Sequence, residues 1–149
     1  MVNIIRVQSE DFAQSELFNG LKAEDASCGA IVTFTGIVRE HLEKGIDKLF
    51  LEHYPGMTER ALESIVEKAR ARWALGAVTV IHRVGELNLN DNIVFVGVAS
   101  GHRASAFDAA QFIMDYLKKD APFWKKEIGQ NTADWVEQKE TDLLSAKRW

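Results

Sequence analysis

The sequence predicts an α+β fold in which mixed or antiparallel sheets pack with two main helices. Three observations lead to this class. Segments rich in β-branched and aromatic residues recur along the chain, two segments carry apolar residues at helical spacing, and the strands follow one another in hairpin-like order. The length of 149 residues fits one domain over 1–149 and leaves room for a small β subdomain.

The first third of the chain is predicted to contain two strands and a short helix. VNIIRV at 2–7 is typical of a strand, and Ser9 is the expected N-cap of a helix near 11–21. β-Branched and aromatic residues dominate 29–38, as in a largely buried strand. The polar segment 39–48 indicates a mobile loop.

The clearest helix follows. Apolar residues recur every three or four positions from Met57 to Trp73, with charged residues between them, and Gly76 is expected to end the helix. Runs rich in β-branched residues predict three more strands, of which the last two pair around a connection at 86–91. These strands span 49–54, 77–85 and 92–100.

A second main helix is predicted from about His102 to Lys118, where apolar residues again have helical spacing. Pro122 prevents its simple continuation, because proline lacks the backbone N–H that a helix needs. Trp135-Val136 indicates a short strand further on.

Composition excludes several classes of protein. The 18 basic and 22 acidic residues give a formal charge of −4, which argues against a general nucleic-acid binder with a basic surface. No apolar run approaches the roughly 20 residues that cross a bilayer. The N-terminus reaches Glu10 and Asp11 too soon for a signal peptide, so we expect a cytoplasmic protein.

No metal and no cofactor is expected. The four histidines, at 41, 53, 82 and 102, lack the spacing of metal ligands. The single cysteine, Cys28, excludes an internal disulfide and precedes a buried-looking strand, where cysteine is usually a small apolar residue. Nucleotide-binding and hydrolase motifs such as GxGxxG and GxSxG are missing from the sequence.

A candidate anion site lies where a strand leads into the second main helix, at His102-Arg103. Unpaired N–H groups and the helix dipole make such a helix start attractive to anions. Two basic residues at a helix start are unfavourable, because the helix dipole is positive there. Their presence therefore suggests that an anion binds at this position. The alternative, in which both side chains point into solvent or meet an acidic neighbour, is equally compatible with the sequence.

Two lysines flank an apolar pair further along the chain. Lys118 and Lys125 lie on either side of Phe123-Trp124, and a partly desolvated lysine can serve as an acid or base near neutral pH. An isolated surface lysine is otherwise simply solvated. Arg39, at the end of a buried strand, is suited to bind a phosphate bidentately while the loop after it closes.

The second main helix separates these candidates. A continuous helix over 102–118 places its ends roughly 24 Å apart, since each residue adds about 1.5 Å. His102 and Arg103 therefore cannot line one small pocket with Lys118 within one chain. Either the protein has two sites, or one composite site forms where two chains pack with these helices antiparallel. We prefer the composite site.

Four segments of the chain resemble the catalytic large subunit of molybdopterin synthase: TFTGIVREH at 33–41, LEHYPGM at 51–57, GHRASAF at 101–107 and DAPFWKKE at 120–127. The resemblance covers 29–149. It implies an α/β-hammerhead-like fold and an enzyme that converts cyclic pyranopterin monophosphate into molybdopterin by installing two dithiolene sulfurs. It further implies a small ubiquitin-like partner that carries sulfur as a C-terminal Gly-Gly thiocarboxylate, and a homodimer of large subunits at the core of a heterotetramer.

The resemblance also implies roles for individual residues. Lys118 and Lys125 correspond to the catalytic lysines. Lys119 and Lys139 depart from the family pattern, which has a small or polar residue and an arginine there. The residues that correspond to substrate contacts are Ile37, Val38, Arg39, His102, Arg103, Lys118, Lys125, Lys126 and Glu127, with His102 and Arg103 expected from the opposite protomer.

Two other functions use the same residues. A non-catalytic assembly module would dock the carboxylate tail of another protein on its lysines. A phosphate-ester enzyme would use the anion site without any sulfur carrier. Loss of turnover with retained partner binding distinguishes the enzyme from the module, and carrier-independent turnover identifies the phosphate-ester enzyme.

Overall fold

The computed structural model describes residues 2–23, 26–40, 45–129, 133–136 and 140–149. These residues form helices and strands in mixed order. The elements are β1 (Asn3–Gln8), α1 (Gln14–Ala23), β2 (Ala30–Ile37), β3 (Ile46–His53), α2 (Met57–Arg72), β4 (Leu75–Arg83), β5 (Gly85–Asn88), β6 (Asn92–Ser100), α3 (Arg103–Asp120), β7 (Phe123–Gly129), β8 (Ala133–Val136) and α4 (Glu140–Ala146).

The strands form two four-stranded sheets. The first has the order β1-β4-β6-β2, in which β1 is parallel to β4 and the other pairs are antiparallel. The second has the order β5-β3-β7-β8, and all of its pairs are antiparallel. The predicted α+β class, with mixed and antiparallel sheets, is therefore confirmed.

The centre of the first sheet is buried on both faces. Val78 and Val80 of β4 pack in the largest core cluster, together with residues of α2 and α3. On the other face, Ile81 and Phe95 pack with Leu21 of α1. A strand that is covered on both faces must be apolar at successive positions, which explains the continuous apolar runs of β4 and β6.

A smaller apolar cluster joins the two sheets. It contains Val38, directly after β2, together with Leu49 and Leu51 of β3 and Leu87 of β5. Ile93, near the start of β6, packs against the same cluster. The end of β2 is thereby held against the second sheet.

The segment after α4 packs on α3 through Trp149. The indole Nε1–H of Trp149 donates a hydrogen bond of 2.7 Å to Oδ2 of the buried Asp115. Its ring makes edge-to-face contacts with Trp73 and Phe112, at 5.6 and 5.8 Å between ring centroids. Asp115 on α3 is thus buried with its carboxylate hydrogen-bonded.

Two predicted helix boundaries are wrong. The first helix begins at Gln14, five residues after Ser9, so Ser9 is not its N-cap; the Ser9 carbonyl accepts hydrogen bonds from Arg83 instead. The helix predicted to stop at Gly76 ends at Arg72, and Gly76 lies inside β4. Both errors concern boundaries, where local sequence signals compete with tertiary packing.

Three elements were not predicted. The connection predicted at 86–91 contains most of β5, and β7 and α4 also escaped the sequence analysis. β5 and β7 carry charged residues and are only partly buried, so they lack the apolar run that predicts a strand. Within the segment predicted as a mobile loop, β3 already begins at Ile46, and residues 41–44 lie outside the described part of the chain.

None of the helices in the described ranges is long and apolar enough to cross a membrane.

Candidate functional site

Helix α3 is continuous and separates the two groups of basic candidates. It runs from Arg103 to Asp120, with His102 as its N-cap and Lys118 in its last turn. A helix of 18 residues is about 27 Å long. The expectation that His102 and Arg103 lie far from Lys118 within one chain is therefore confirmed.

The sheet register agrees with this separation. Ser100, the last residue of β6, lies three residues before the start of α3 and pairs with Leu75 at the beginning of β4. His82, near the other end of β4, pairs with Val94. The start of α3 thus lies at one end of the first sheet and His82 at the other.

The start of α3 carries positive charge and no acidic residue. His102 is extended, with φ −132°, and within the described residues no side chain caps the helix there. Both His102 and Arg103 are exposed. Because the first N–H groups of a helix and its dipole also favour anions, this end of α3 has the character of an anion-binding surface.

The charge of Lys118, at the other end of α3, acts on a buried histidine. His82 is 3% exposed, and burial lowers the pKa of its imidazole from 6.5 to about 3. A hydrogen bond to the Arg83 carbonyl opposes this shift, while the positive charges of Lys118 and His53 add to it. His82 is consequently neutral at physiological pH.

The ring of His82 stacks on Phe123 at the start of β7. The ring centroids are 3.8 Å apart and the planes differ by 18°. Phe123 pairs with His53 across the β3–β7 ladder, so His53 and Phe123 lie on the same face of the second sheet. His82 of the first sheet and the first residue of β7 therefore lie together.

Lys125 and Glu127 share this face of the second sheet, because side chains alternate along a strand. Lys125 pairs with Leu51 and Glu127 with Leu49, both of which belong to the cluster that joins the sheets. Both charged side chains are half-buried. Oε2 of Glu127 is buried and has no hydrogen-bond partner among the described residues.

Lys126 points to the opposite face of β7. Its Nζ lies over the ring of Trp135, 5.6 Å from the centroid, and Lys126 pairs with Trp135 in the β7–β8 ladder. Trp135 and Trp124 are both about half exposed. Lys126 is thus separated from Lys125 by the thickness of the sheet.

The end of β2 supplies a rigid anchor between two exposed residues. Val38 is 2% exposed, its N–H donates to the Asp91 carbonyl at 2.9 Å, and its own carbonyl accepts from the Asn90 N–H at 3.0 Å. Ile37 is 51% exposed and Arg39 is also exposed. Val38 therefore offers no free surface in this conformation, and it holds Ile37 and Arg39 in place.

The cluster that joins the two sheets links the end of β2 to β7. Val38 packs in the same cluster as Leu51, and Leu51 pairs with Lys125. We call the group formed by Arg39, Lys118 and Lys125 the lysine site. His102 and Arg103 lie at the opposite end of α3 from Lys118.

The sequence patterns do not identify His82 and Phe123 as members of a candidate site. His82 was considered only as a potential metal ligand, and Phe123 only as an apolar neighbour of the lysines. The available signal was a histidine inside the otherwise apolar strand of 77–85, since a polar residue in a buried strand needs a specific partner. In the parts of the chain that the structure describes, no three His, Cys, Asp or Glu side chains come together to hold a metal ion. Lys139 lies outside those parts.

Comparisons with known proteins agree with this architecture. The family model described as "MoaE protein" matches residues 7–120. A molybdopterin synthase catalytic subunit from Salmonella typhimurium is 60% identical over 139 residues, which cover 93% of this chain and 92% of that protein. The corresponding protein of Escherichia coli is 57% identical over 146 residues, 97% of each chain.

A solved structure shows the same fold. Molybdopterin cofactor biosynthesis protein E from Burkholderia multivorans superposes with a TM-score of 0.86 and 43% identity, covering 100% of this chain and 97% of that one. The fold and the matched sequence together define an α+β enzyme subunit of molybdenum cofactor biosynthesis. The chain belongs to the MoaE family, so the family resemblance stated from four short segments is confirmed.

Proposed function

We propose that this chain catalyses the conversion of cyclic pyranopterin monophosphate into molybdopterin by installing two dithiolene sulfurs. One observation carries the proposal. In a member of the MoaE family, Lys118 lies in the last turn of α3, and Lys125 lies in β7, which begins three residues after that helix ends. These are the two lysines that the resemblance assigns to catalysis.

The sulfur donor in this proposal is a small ubiquitin-like carrier with a C-terminal Gly-Gly thiocarboxylate. Its sulfur attacks an activated side-chain carbon of the pterin. The C–S bond forms while a C–O bond of that carbon breaks, the oxygen takes up a proton as it leaves, and the carrier stays attached as a thioester. Water then hydrolyses the thioester and releases the carrier with an ordinary carboxylate. A second carrier repeats the step. The names of the relatives support a partner, since a catalytic subunit is one component of a larger enzyme.

The residues of the lysine site have complementary tasks. Lys118 supplies acid–base catalysis next to the thiocarboxylate. Lys125 and Arg39 hold the substrate and stabilise the negative charge that develops on it. Ile37, Val38, Lys126 and Glu127 stay predicted substrate contacts. Of these, Val38 is buried in this conformation, and Lys126 lies on the other face of β7 from Lys125.

The active site is composite. Since His102 and Arg103 lie about 27 Å from the other end of α3, they bind the substrate phosphate only if a second copy of the chain presents them. We therefore propose a homodimer at the core of a heterotetramer, with one carrier at each lysine site. Each chain would act as one domain in the cytoplasm.

The test of the function is anaerobic turnover with cyclic pyranopterin monophosphate and thiocarboxylated carrier, followed by mass spectrometry. We expect a product with two added sulfurs, which depends on the carrier. The Lys118→Ala variant should lose about a hundredfold or more in turnover, with carrier affinity nearly unchanged. Lys119→Ala is the matched control, because Lys119 Nζ lies over the ring of Tyr116, 5.6 Å from its centroid.

The alternatives give different results. Equal losses of turnover and carrier affinity in Lys118→Ala would indicate a docking module. Turnover without carrier would indicate a phosphate-ester enzyme.

A mixing experiment tests the composite site. Lys118→Ala and Arg103→Ala are each inactive alone, but a dimer that contains one of each retains one intact site. After dissociation and random reassociation, activity should return to about a quarter of wild type, because about half of the dimers are mixed and each has one of two sites. If the mixture stays inactive, His102 and Arg103 do not complete the site of the partner subunit.

A further inference from the structure

A side chain extends the ladder between β3 and β7 at the end where β7 begins. The last pair of that ladder is His53 with Phe123, so Tyr54 lies opposite Pro122 in the same register. The hydroxyl of Thr58 connects these two residues. The Tyr54 N–H donates to Thr58 Oγ1 at 2.9 Å, and Thr58 Oγ1 donates to the Pro122 carbonyl at 3.0 Å. The hydroxyl therefore joins the two strands one position beyond their last pair.

The direction of this hydroxyl is fixed. Thr58 is the second residue of α2 and is 0% exposed, and its own N–H donates to the Tyr54 carbonyl at 2.9 Å. A hydroxyl has one proton, a backbone N–H can only donate and a carbonyl can only accept, so the proton points to Pro122. The first turn of α2 is thus tied to the end of β3 by two hydrogen bonds and to Pro122 by a third.

Pro122 occupies the junction between α3 and β7. It lies four residues after Lys118 and three residues before Lys125. The Phe123 N–H donates to the Ala121 carbonyl at 2.9 Å, which closes a three-residue γ-turn around Pro122. Because proline has no N–H, its carbonyl is the backbone group through which another element can hold it by a hydrogen bond. Thr58 supplies that hydrogen bond.

We propose that Thr58 is a positioning residue of the lysine site, whose hydroxyl fixes the α3–β7 junction at Pro122 and thereby the placement of Lys118 relative to Lys125. This role rests on the function proposed above. Thr58 acts through the backbone of the junction and not by contact with the substrate. A displacement of about 1 Å can cost a catalytic group about a hundredfold in rate, so a small shift of the junction is enough to affect turnover.

Two substitutions of Thr58 separate the hydroxyl from the rest of the side chain in steady-state kinetics. Thr58→Val keeps the shape and removes the hydroxyl, whereas Thr58→Ser keeps the hydroxyl. For Thr58→Val we expect kcat to fall about tenfold to a hundredfold, with KM for pterin and carrier changed by less than about twofold. Thr58→Ser should keep kcat within about threefold of wild type, because both hydrogen bonds can still form.

Gly97→Ala is the matched control for lost stability. Its added Cβ would meet Leu21 and Phe95, which belong to the core cluster on the α1 side of the first sheet. Below its unfolding temperature, this variant should have the kcat of wild type. If Thr58→Val also unfolds at a lower temperature but keeps the kcat of wild type, Thr58 serves stability alone and the proposal is overturned. Equal losses of kcat in Thr58→Val and Thr58→Ser would overturn it too, since the hydroxyl would not be the cause.

Nuclear magnetic resonance tests the junction without turnover. The backbone amide resonances of Lys118 and Lys125 should move in Thr58→Val and stay close to wild type in Thr58→Ser; resonances that do not respond to Thr58→Val would refute the positioning role. In wild type, the Tyr54 amide should exchange with deuterium at least about tenfold more slowly than an unstructured amide, because its acceptor is buried. Unprotected exchange at Tyr54 would refute the role of the hydroxyl even if Thr58→Val fails to fold.

The kinetic and spectroscopic results distinguish failure of this inference from failure of the proposed function. A wild-type protein without sulfur transfer, in which the resonances of Lys118 and Lys125 respond to Thr58→Val, would refute the function and leave the positioning role of Thr58 intact. An active wild-type protein in which these resonances do not respond would refute the inference alone.

Discussion

The burial of His82 predicts how the stability of the protein depends on pH. The pKa of His82 is about 3 in the folded protein, first because of burial and then because of the nearby charges of Lys118 and His53, against 6.5 for a free histidine. Between these two values the unfolded chain binds a proton that the folded chain excludes. The free energy of unfolding therefore falls as the pH drops below about 6.5, and this contribution stops changing near pH 3.

The magnitude follows from the distance between the pH and the unfolded pKa. At pH 5, the pH lies about 1.5 units below the unfolded pKa, and each unit corresponds to about 1.4 kcal/mol. The free energy of unfolding is therefore about 2 kcal/mol lower at pH 5 than at pH 7.5. This is a large share of the 5–15 kcal/mol that is typical of folded proteins. The loss belongs to His82 alone and adds to that of other titrating groups.

Urea unfolding of wild type and His82→Phe at pH 7.5 and pH 5 isolates the contribution of His82. Other groups titrate equally in both proteins, so wild type should lose about 2 kcal/mol more than the variant. Protein concentration is kept constant, because dissociation of the proposed homodimer would be linked to unfolding. Equal losses in the two proteins would show that folding does not exclude the proton from His82, and would refute the reasoning from burial.

Two further predictions concern packing. A Cβ at Gly97 would overlap Cδ1 of the buried Leu21, so Gly97→Ala should lower the free energy of unfolding by about 1–3 kcal/mol. Gly20→Ala is the control and should not destabilise the protein, because no atom lies within 4 Å of the added Cβ. Equal urea midpoints for the two variants would contradict this prediction. Trp149→Phe removes the hydrogen bond to the buried Asp115 and should lower the free energy of unfolding by about 1–3 kcal/mol in the same measurement. A loss below about 0.5 kcal/mol would show that Asp115 does not need this donor.

The sequence predicts the parts of the fold that carry strong periodic signals. The amphipathic spacing of α2 and the apolar runs of β4 and β6 reflect burial directly, and the continuity of α3 was enough to place Arg103 far from Lys118. By contrast, β7 alternates charged residues on two half-buried faces, so no local pattern marks it as a strand.

The candidate site was predictable only in part, for a similar reason. The lysines were identified by their neighbours and by the family resemblance. The contact of His82 with Phe123 joins residues 41 positions apart in different sheets, and it depends on how the sheets meet. Periodicity describes the faces of single elements, whereas such a contact requires the tertiary arrangement.

The continuity of α3 also has a consequence for changes in chain length. One residue inserted in the middle of the helix would rotate its two ends relative to each other by about 100° and move them apart by about 1.5 Å. His102 and Arg103 at one end and Lys118 at the other would then lose their mutual orientation, although each residue would still be present. In the composite site proposed above, the length of α3 sets the distance between the two active sites, so the number of residues in the helix matters as much as the side chains at its ends.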